Sequence, residues 1–321
     1  MSLNLKQKPA WVQLIIFGLI TILLTVMSTF VGFIVIARLQ HMDVFELGKL
    51  TTLDFAKPQF AGVARALLVV QFFGIFLLPC LVFAYIADPR PLAFAGLKKP
   101  YPLSAIWLGI AIIIFSYIMV EWLGRVNEYL VNHVFGKSVR DWVEKGESDV
   151  DGTLQNILNM KSVTDLVVAI LLVGVLAAVG EELFFRGILQ RILIQSFRSP
   201  WLGIIVTAAI FSAIHGQFMG FIPRMVLGMI LGALYWYSGS LFPAMAGHFF
   251  FNALQILLVY FKVIDPKSTA GSARFLPIMG ILALAIVAVL LNYLRKRSRT
   301  TYAGIYQTAI PGPQMPLLDD D

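Results

Sequence analysis

Long apolar runs recur through this chain at Trp11 to Ala37, Ala66 to Ala87, Leu103 to Val120, Val163 onward, Trp201 to Gly216, Met225 to Tyr237, Phe242 to Phe261 and Phe275 to Leu294. A bilayer core takes about 20 apolar residues of helix to cross. The expected fold is therefore all-α, a polytopic membrane helix bundle of about eight transmembrane helices, with the sixth short. With 59% hydrophobic and 13% charged residues, a soluble globule with an ordinary surface is excluded.

The net charge of +7 is placed for a membrane rather than for nucleic acid. Lys6 and Lys8 precede the first run, Arg90, Lys98 and Lys99 follow the second, Arg186, Arg191 and Arg198 follow the fourth, and a basic cluster from Arg295 to Arg299 follows the eighth. If every run crosses, all four groups share one side, and the positive-inside rule puts both termini in the cytoplasm. No basic stripe with interleaved aromatics is present, so no nucleic-acid partner is expected. The first run is too long for the apolar part of a secretory signal and reads as a retained anchor. Cys80, the single cysteine, lies in an apolar run, which excludes an internal disulfide and reads as a small buried residue.

The expected organisation is a three-span region over 1–162 with two long non-cytoplasmic loops, a catalytic membrane core over 163–294 and a disordered cytoplasmic tail over 295–321. The loops Arg38 to Arg65 and Arg125 to Lys161 mix acids and bases, the second with room for a short interfacial helix, and His41 and His133 in them read as solvated surface. The tail is broken by Pro311, Gly312, Pro313 and Pro316 and ends in three aspartates. Gly228 and Gly232 form a small-xxx-small pair, which reads as close helix packing without chemistry.

Ionisable side chains mark the membrane core. Glu181, Glu182, Arg186, His215 and His248 all fall in runs four to seven, and an ionisable group inside a span is by default a functional candidate. Residues four apart share a helix face, so Glu182 can pair with Arg186, leaving Glu181 rotated by about 100° to face elsewhere. Phe211 and His215 are likewise four apart, as are His248 and Asn252. Glu181 lies seventeen residues before Arg198 and His215 seventeen after it, so a helical hairpin turning there puts them level. Counting from the breaks at Phe221 and Gly239 brings His248 to the same height within a turn, with Asn252 one turn away.

A carboxylate and a histidine at hydrogen-bonding range can hold a water and take its proton. A second histidine and an amide offer two N–H donors to a developing oxyanion. Together these describe amide hydrolysis with no cofactor required. No G-x-S-x-G elbow or membrane cysteine near a histidine supports covalent catalysis. Zinc is the alternative, held by Glu181, His215 and His248 with an open fourth position.

Glu181-Glu182-x-x-x-Arg186, Phe211-x-x-x-His215 and His248-x-x-x-Asn252, in this order on successive helices, resemble the three motifs of the CAAX protease and bacteriocin-processing (CPBP) family, which includes the prenyl-protein CAAX endopeptidases. The resemblance covers roughly Val163 to Phe261. It implies an intramembrane endopeptidase in which Glu181 and His215 activate water, His248 and Asn252 stabilise the oxyanion, and Glu182, Arg186 and Phe211 support the site. Family members are often labelled metalloproteases, although a metal-free glutamate mechanism is also argued for the CAAX branch. The implied partners are a membrane-associated peptide or protein substrate and the lipid bilayer. A non-proteolytic partner or regulator of another membrane protein is the competing reading, and a proton-relay transporter a third, disfavoured by the lack of an inverted repeat.

Overall fold

A computed structural model describes residues 5–39, 55–100, 102–263 and 275–298, and every extended element among them is a helix. Seven helices are long and apolar enough to cross a membrane, which makes the chain an integral membrane protein: α1 (Ala10–Leu39), α2 (Pro58–Ala87), α3 (Ala105–His133), α5 (Val163–Phe197), α7 (Phe221–Ser238, extended to Phe218 by a 3₁₀ turn), α8 (Phe242–Tyr260) and α9 (Leu276–Arg297). Two more of ten residues or longer are α4 (Lys137–Ile157), which is polar, and α6 (Pro200–Ala213), which is apolar but short, and a single helical turn stands at Pro91–Phe94. His41, most of the first long loop and the tail from residue 299 lie outside the described residues.

The bundle differs from the expected spans in two ways. The short member is the fifth apolar run rather than the sixth: α6 has 14 residues and α7 has 18. α6 begins sharply, because Arg198 turns the chain at φ 51° and the Ser199 side chain caps Leu202 N–H ahead of Pro200 in the first turn. It stops at Ala213, and the chain then turns through Gly216 at φ 69°. The second long loop is mostly helix, since α3 continues to His133 and α4 takes up the next 21-residue stretch. His133 is exposed at the end of α3, its Nδ1 3.0 Å from Tyr129 O and its ring stacked on Tyr129.

Two apolar clusters hold the bundle. One joins Phe17 of α1 and Phe83 of α2 to Leu183, Phe185 and Ile188 of α5 and Phe211 of α6; Cys80 is buried in it. The other joins Ile112 and Met119 of α3 to Leu231 of α7, Phe251 of α8 and Val287 of α9. α8 belongs to both, contributing Met245 to the first and Phe251 to the second, and the side chain between them in the sequence that is both buried and ionisable is His248. Much of the outer surface of α1 and α9 is apolar and exposed, as lipid-facing helices require.

α5 is not a uniform α-helix. It runs α over Val163–Ala169, π over Ile170–Leu176, α over Ala177–Glu181 and π over Glu182–Gln190 before closing as α. Wide π turns redirect side chains and backbone carbonyls, and they concentrate at functional positions.

Candidate active site

The centre of the site is a buried ion pair that reaches three helices. Glu182 and Arg186 are both fully buried, and Arg186 Nη1 donates to Glu182 Oε1 at 2.6 Å. Nη2 donates to the carbonyl of Gly228 on α7 at 3.1 Å, and the guanidinium lies 4.6 Å from the ring centroid of Phe211 on α6. A pair this deep forfeits hydration on both ions, so it is better understood as fixing geometry than as adding stability.

One turn further along α5, Gln190 Nε2 donates to Gly232 O at 3.2 Å, repeating the contact of Arg186 with Gly228. The two glycines therefore do more than let helices approach. A Cβ at 228 would stand 3.1 Å from Ala208 Cβ and 3.3 Å from Arg186 Nη2, and one at 232 only 2.6 Å from Gln190 Oε1. Their missing side chains leave room for the polar ladder Glu182, Arg186, Gln190 and open two carbonyls to it. These distances are those of the close helix packing expected from the spacing.

His248 enters from α8. Its Nδ1 lies 2.8 Å from Glu182 Oε1, the oxygen that also receives Arg186. An ionised carboxylate only accepts, so Nδ1 carries the proton and Glu182 orients the ring. This contact was not foreseen from the helical spacing, which assigned Glu182 to Arg186 alone. The opposite nitrogen, Nε2, faces Glu181 Oε2 at 3.8 Å, too far for a direct hydrogen bond and suited to a bridging water. Glu181 keeps 15% of its side chain exposed and accepts no hydrogen bond from the described residues.

His215 lies just past the end of α6. Its Nδ1 is 2.7 Å from Phe211 O, and its ring stands edge-on to Phe211 with centroids 4.8 Å apart. A carbonyl also only accepts, so Nδ1–H donates and Nε2 is left as the lone-pair nitrogen. Phe211 meets His248 as well, at 6.2 Å between centroids, so one phenyl ring sits against both imidazoles and the Arg186 guanidinium. Asn252, one turn beyond His248, donates Nδ2 to Val173 O at 2.9 Å, in the first π segment of α5. The amide keeps a second N–H.

The structure thus brings Glu181, Glu182, Arg186, Phe211, His215, His248 and Asn252 into one neighbourhood. Arg224, in the first turn of α7, was not picked out from sequence because it stands at the edge of an apolar run; its charge acts on both Glu181 and His215. Among the described residues no three His, Cys, Asp or Glu side chains form a cluster able to hold a metal ion.

Residues 163–254 match the family model described as type II CAAX prenyl endopeptidase Rce1-like, which bears out the resemblance seen in the motifs. All seven residues above fall within it. YpbD, an uncharacterized protein of Bacillus subtilis (strain 168), is 26% identical over 129 residues. That alignment covers 39% of this chain and 61% of the relative's length. No solved structure matches the chain.

Proposed function

We propose, for a chain whose residues 163–254 match the family model described as type II CAAX prenyl endopeptidase Rce1-like, that it is an intramembrane endopeptidase that hydrolyses a membrane-associated peptide or protein. The observation that carries this reading is the placement of Glu181 Oε2 opposite His248 Nε2 at 3.8 Å, while Glu182 holds the other face of the same ring.

In this mechanism a water lies between Glu181 and His215. Glu181 accepts its proton, and the lone pair on His215 Nε2 receives a hydrogen bond from it, as the water oxygen attacks the scissile carbonyl carbon. The carbonyl oxygen becomes an anion. It is met by His248 and the free N–H of Asn252, and with both ring nitrogens protonated His248 donates Nδ1–H to Glu182 and Nε2–H to the oxyanion. Glu181 then returns the proton to the departing amine nitrogen as the C–N bond breaks. Arg186 neutralises Glu182, and Phe211 sets the separation of the two imidazoles. No step uses a cofactor. Both termini face the cytoplasm, as the clustering of Lys and Arg on one side of the membrane supports.

The test incubates the purified full chain in detergent with two probes, a farnesylated peptide ending in a CAAX-type tail and an unprenylated leader-type peptide, with products read by mass spectrometry. Cleavage of either by the wild type, its loss in Glu181→Gln and its persistence with a chelator are the expected results. Cleavage retained by Glu181→Gln rejects the site. Rescue of a deletion strain by Glu181→Ala points instead to a binding partner without proteolysis.

A further inference from the structure

The turn between α6 and α7 starts at Ile214 and is tied within the family-matched segment by Ser212 Oγ to Phe221 O at 2.7 Å and by Arg224 to Gln217, and further ties reach it from outside that segment. Asn127 of α3, only 4% exposed, donates Nδ2 to Phe218 O at 2.8 Å and to Met219 O at 2.7 Å, and its Oδ1 accepts Ile222 N–H at 3.2 Å. One amide thereby ties two carbonyls of the 3₁₀ turn and an early N–H of α7. From α4, Glu147 Oε1 accepts Met219 N–H at 2.7 Å. Asp151, one turn along, accepts from Gln217 Nε2 at 2.8 Å, and Gln217 Oε1 in turn accepts from Arg224 Nη2 at 2.9 Å. Trp142 packs on Phe218 with ring centroids 4.8 Å apart.

The ring of His215 is tied back to α6, with Nδ1 on Phe211 O at 2.7 Å and its edge against the Phe211 ring, while its backbone N–H reaches Ser212 O only at 3.4 Å. The backbone that carries the imidazole is held on its other side by the residues that follow, so where Nε2 points depends on the anchoring of the turn as well as on Phe211. The distant anchors come from side chains on α3 and α4, ninety-odd positions upstream of the turn for Asn127 and about seventy for Glu147.

We propose that Asn127 and Glu147 are positioning residues for His215: by clamping the turn at Phe218, Met219 and Ile222 they set the place of the imidazole relative to Glu181. The reaction concerned is the hydrolysis argued above, on which this proposal rests. The polar helix α4 is then part of the working site, and the N-terminal half of the chain has a role in turnover beyond anchoring.

The experiment compares wild type, Asn127→Asp, Glu147→Ala and Glu147→Gln as full chains in detergent, using the farnesylated tail peptide and hydrogen–deuterium exchange of the 214–222 segment. Aspartate keeps the size of Asn127 and removes the N–H donors; glutamine keeps an acceptor for Met219 N–H. Asn127→Asp and Glu147→Ala are expected to lower kcat by about tenfold or more with KM unchanged, since a displacement near 1 Å is enough for such losses. Exchange should rise in 214–222 alone, and Glu147→Gln should return both readouts toward wild type.

Unchanged kcat in Asn127→Asp and Glu147→Ala overturns the proposal. So does a rise in exchange spread over the whole chain, which marks a merely structural role, and so does a Glu147→Gln protein as impaired as Glu147→Ala. If the wild type cleaves neither probe, the endopeptidase reading has failed separately. The clamp is then judged by exchange: loosening confined to 214–222 sustains it, and unaltered exchange removes it.

Discussion

His248 is held between two adjacent acids of one helix, with Nδ1 2.8 Å from Glu182 and Nε2 3.8 Å from Glu181. The two carboxylates are differently equipped for this. Glu182 is fully buried and shared with Arg186, whereas Glu181 retains exposure. One orients the ring and the other is open to water. Replacing Glu182 with Gln keeps its size but removes the charge that fixes the Nδ1 proton. The expected result is a fall in kcat of roughly 10²-fold with KM little changed, read from steady-state cleavage of the farnesylated tail peptide; an unaltered kcat contradicts the orienting role.

Removing the cation should be more damaging to the fold than to the chemistry alone. Arg186→Met leaves the Glu182 carboxylate buried without its partner, and truncating one member of a buried pair costs about 3–5 kcal/mol. Thermal unfolding in detergent should show a large drop in midpoint. The double variant Glu182→Gln/Arg186→Met should recover part of it, because no charge is then stranded.

Asn252 has one N–H on Val173 O and the other free for substrate. Asn252→Ala is expected to lower kcat by about 10²- to 10³-fold, the range for losing one oxyanion donor. Because the substrate carbonyl is contacted most strongly in the transition state, KM should move little. A change confined to KM assigns Asn252 to ground-state binding instead.

A strap between the N-terminal segment and the end of α2 gives a pH-dependent expectation. Lys6 Nζ meets Asp88 Oδ2 at 2.5 Å, and Arg90 N–H donates to Asp88 Oδ1 at 2.7 Å. Burial works to raise the Asp88 pKa, but the hydrogen bonds and charges of Lys6 and Arg90 together outweigh it and hold the carboxyl below its usual range. A lowered carboxyl pKa adds stability above the ordinary aspartate value, near 3.9, and loses it as pH falls through the folded value. The wild type should therefore melt above Asp88→Asn at pH 7, and the two should converge below about pH 4. A constant difference across that range refutes the linkage.

How much of this was legible beforehand depended on whether a feature leaves a local trace. The hairpin breaks at Arg198 and Gly239 did, through turn chemistry, and the counts made from them agree with the close approach of Glu181 to His248. The contact of Glu182 with His248 did not. Helical spacing treats residues 100° apart as facing different neighbours, yet an imidazole offers nitrogens on two edges and can sit between them. Two π segments in α5 also alter the angular relation that regular spacing assumes. The ties from Asn127 to Phe218 and Met219 join distant parts of the chain, and an asparagine among the charged residues that follow Val120 gives no periodic signal. For the same reason the length of α6 was misjudged: apolar composition continues through Ile214, while the turn that ends the helix is enforced by partners elsewhere.

The brevity of α6 bears on how water would reach the site in the hydrolysis proposed above. At 1.5 Å per residue its 14 residues rise about 21 Å, against roughly 30 Å of hydrocarbon. Lipid beside so short a column must thin, or the polar turn beyond it must lie beneath the headgroups. Either accommodation would bring the water boundary close to His215 and give solvent a short route to the hydrolysis proposed above.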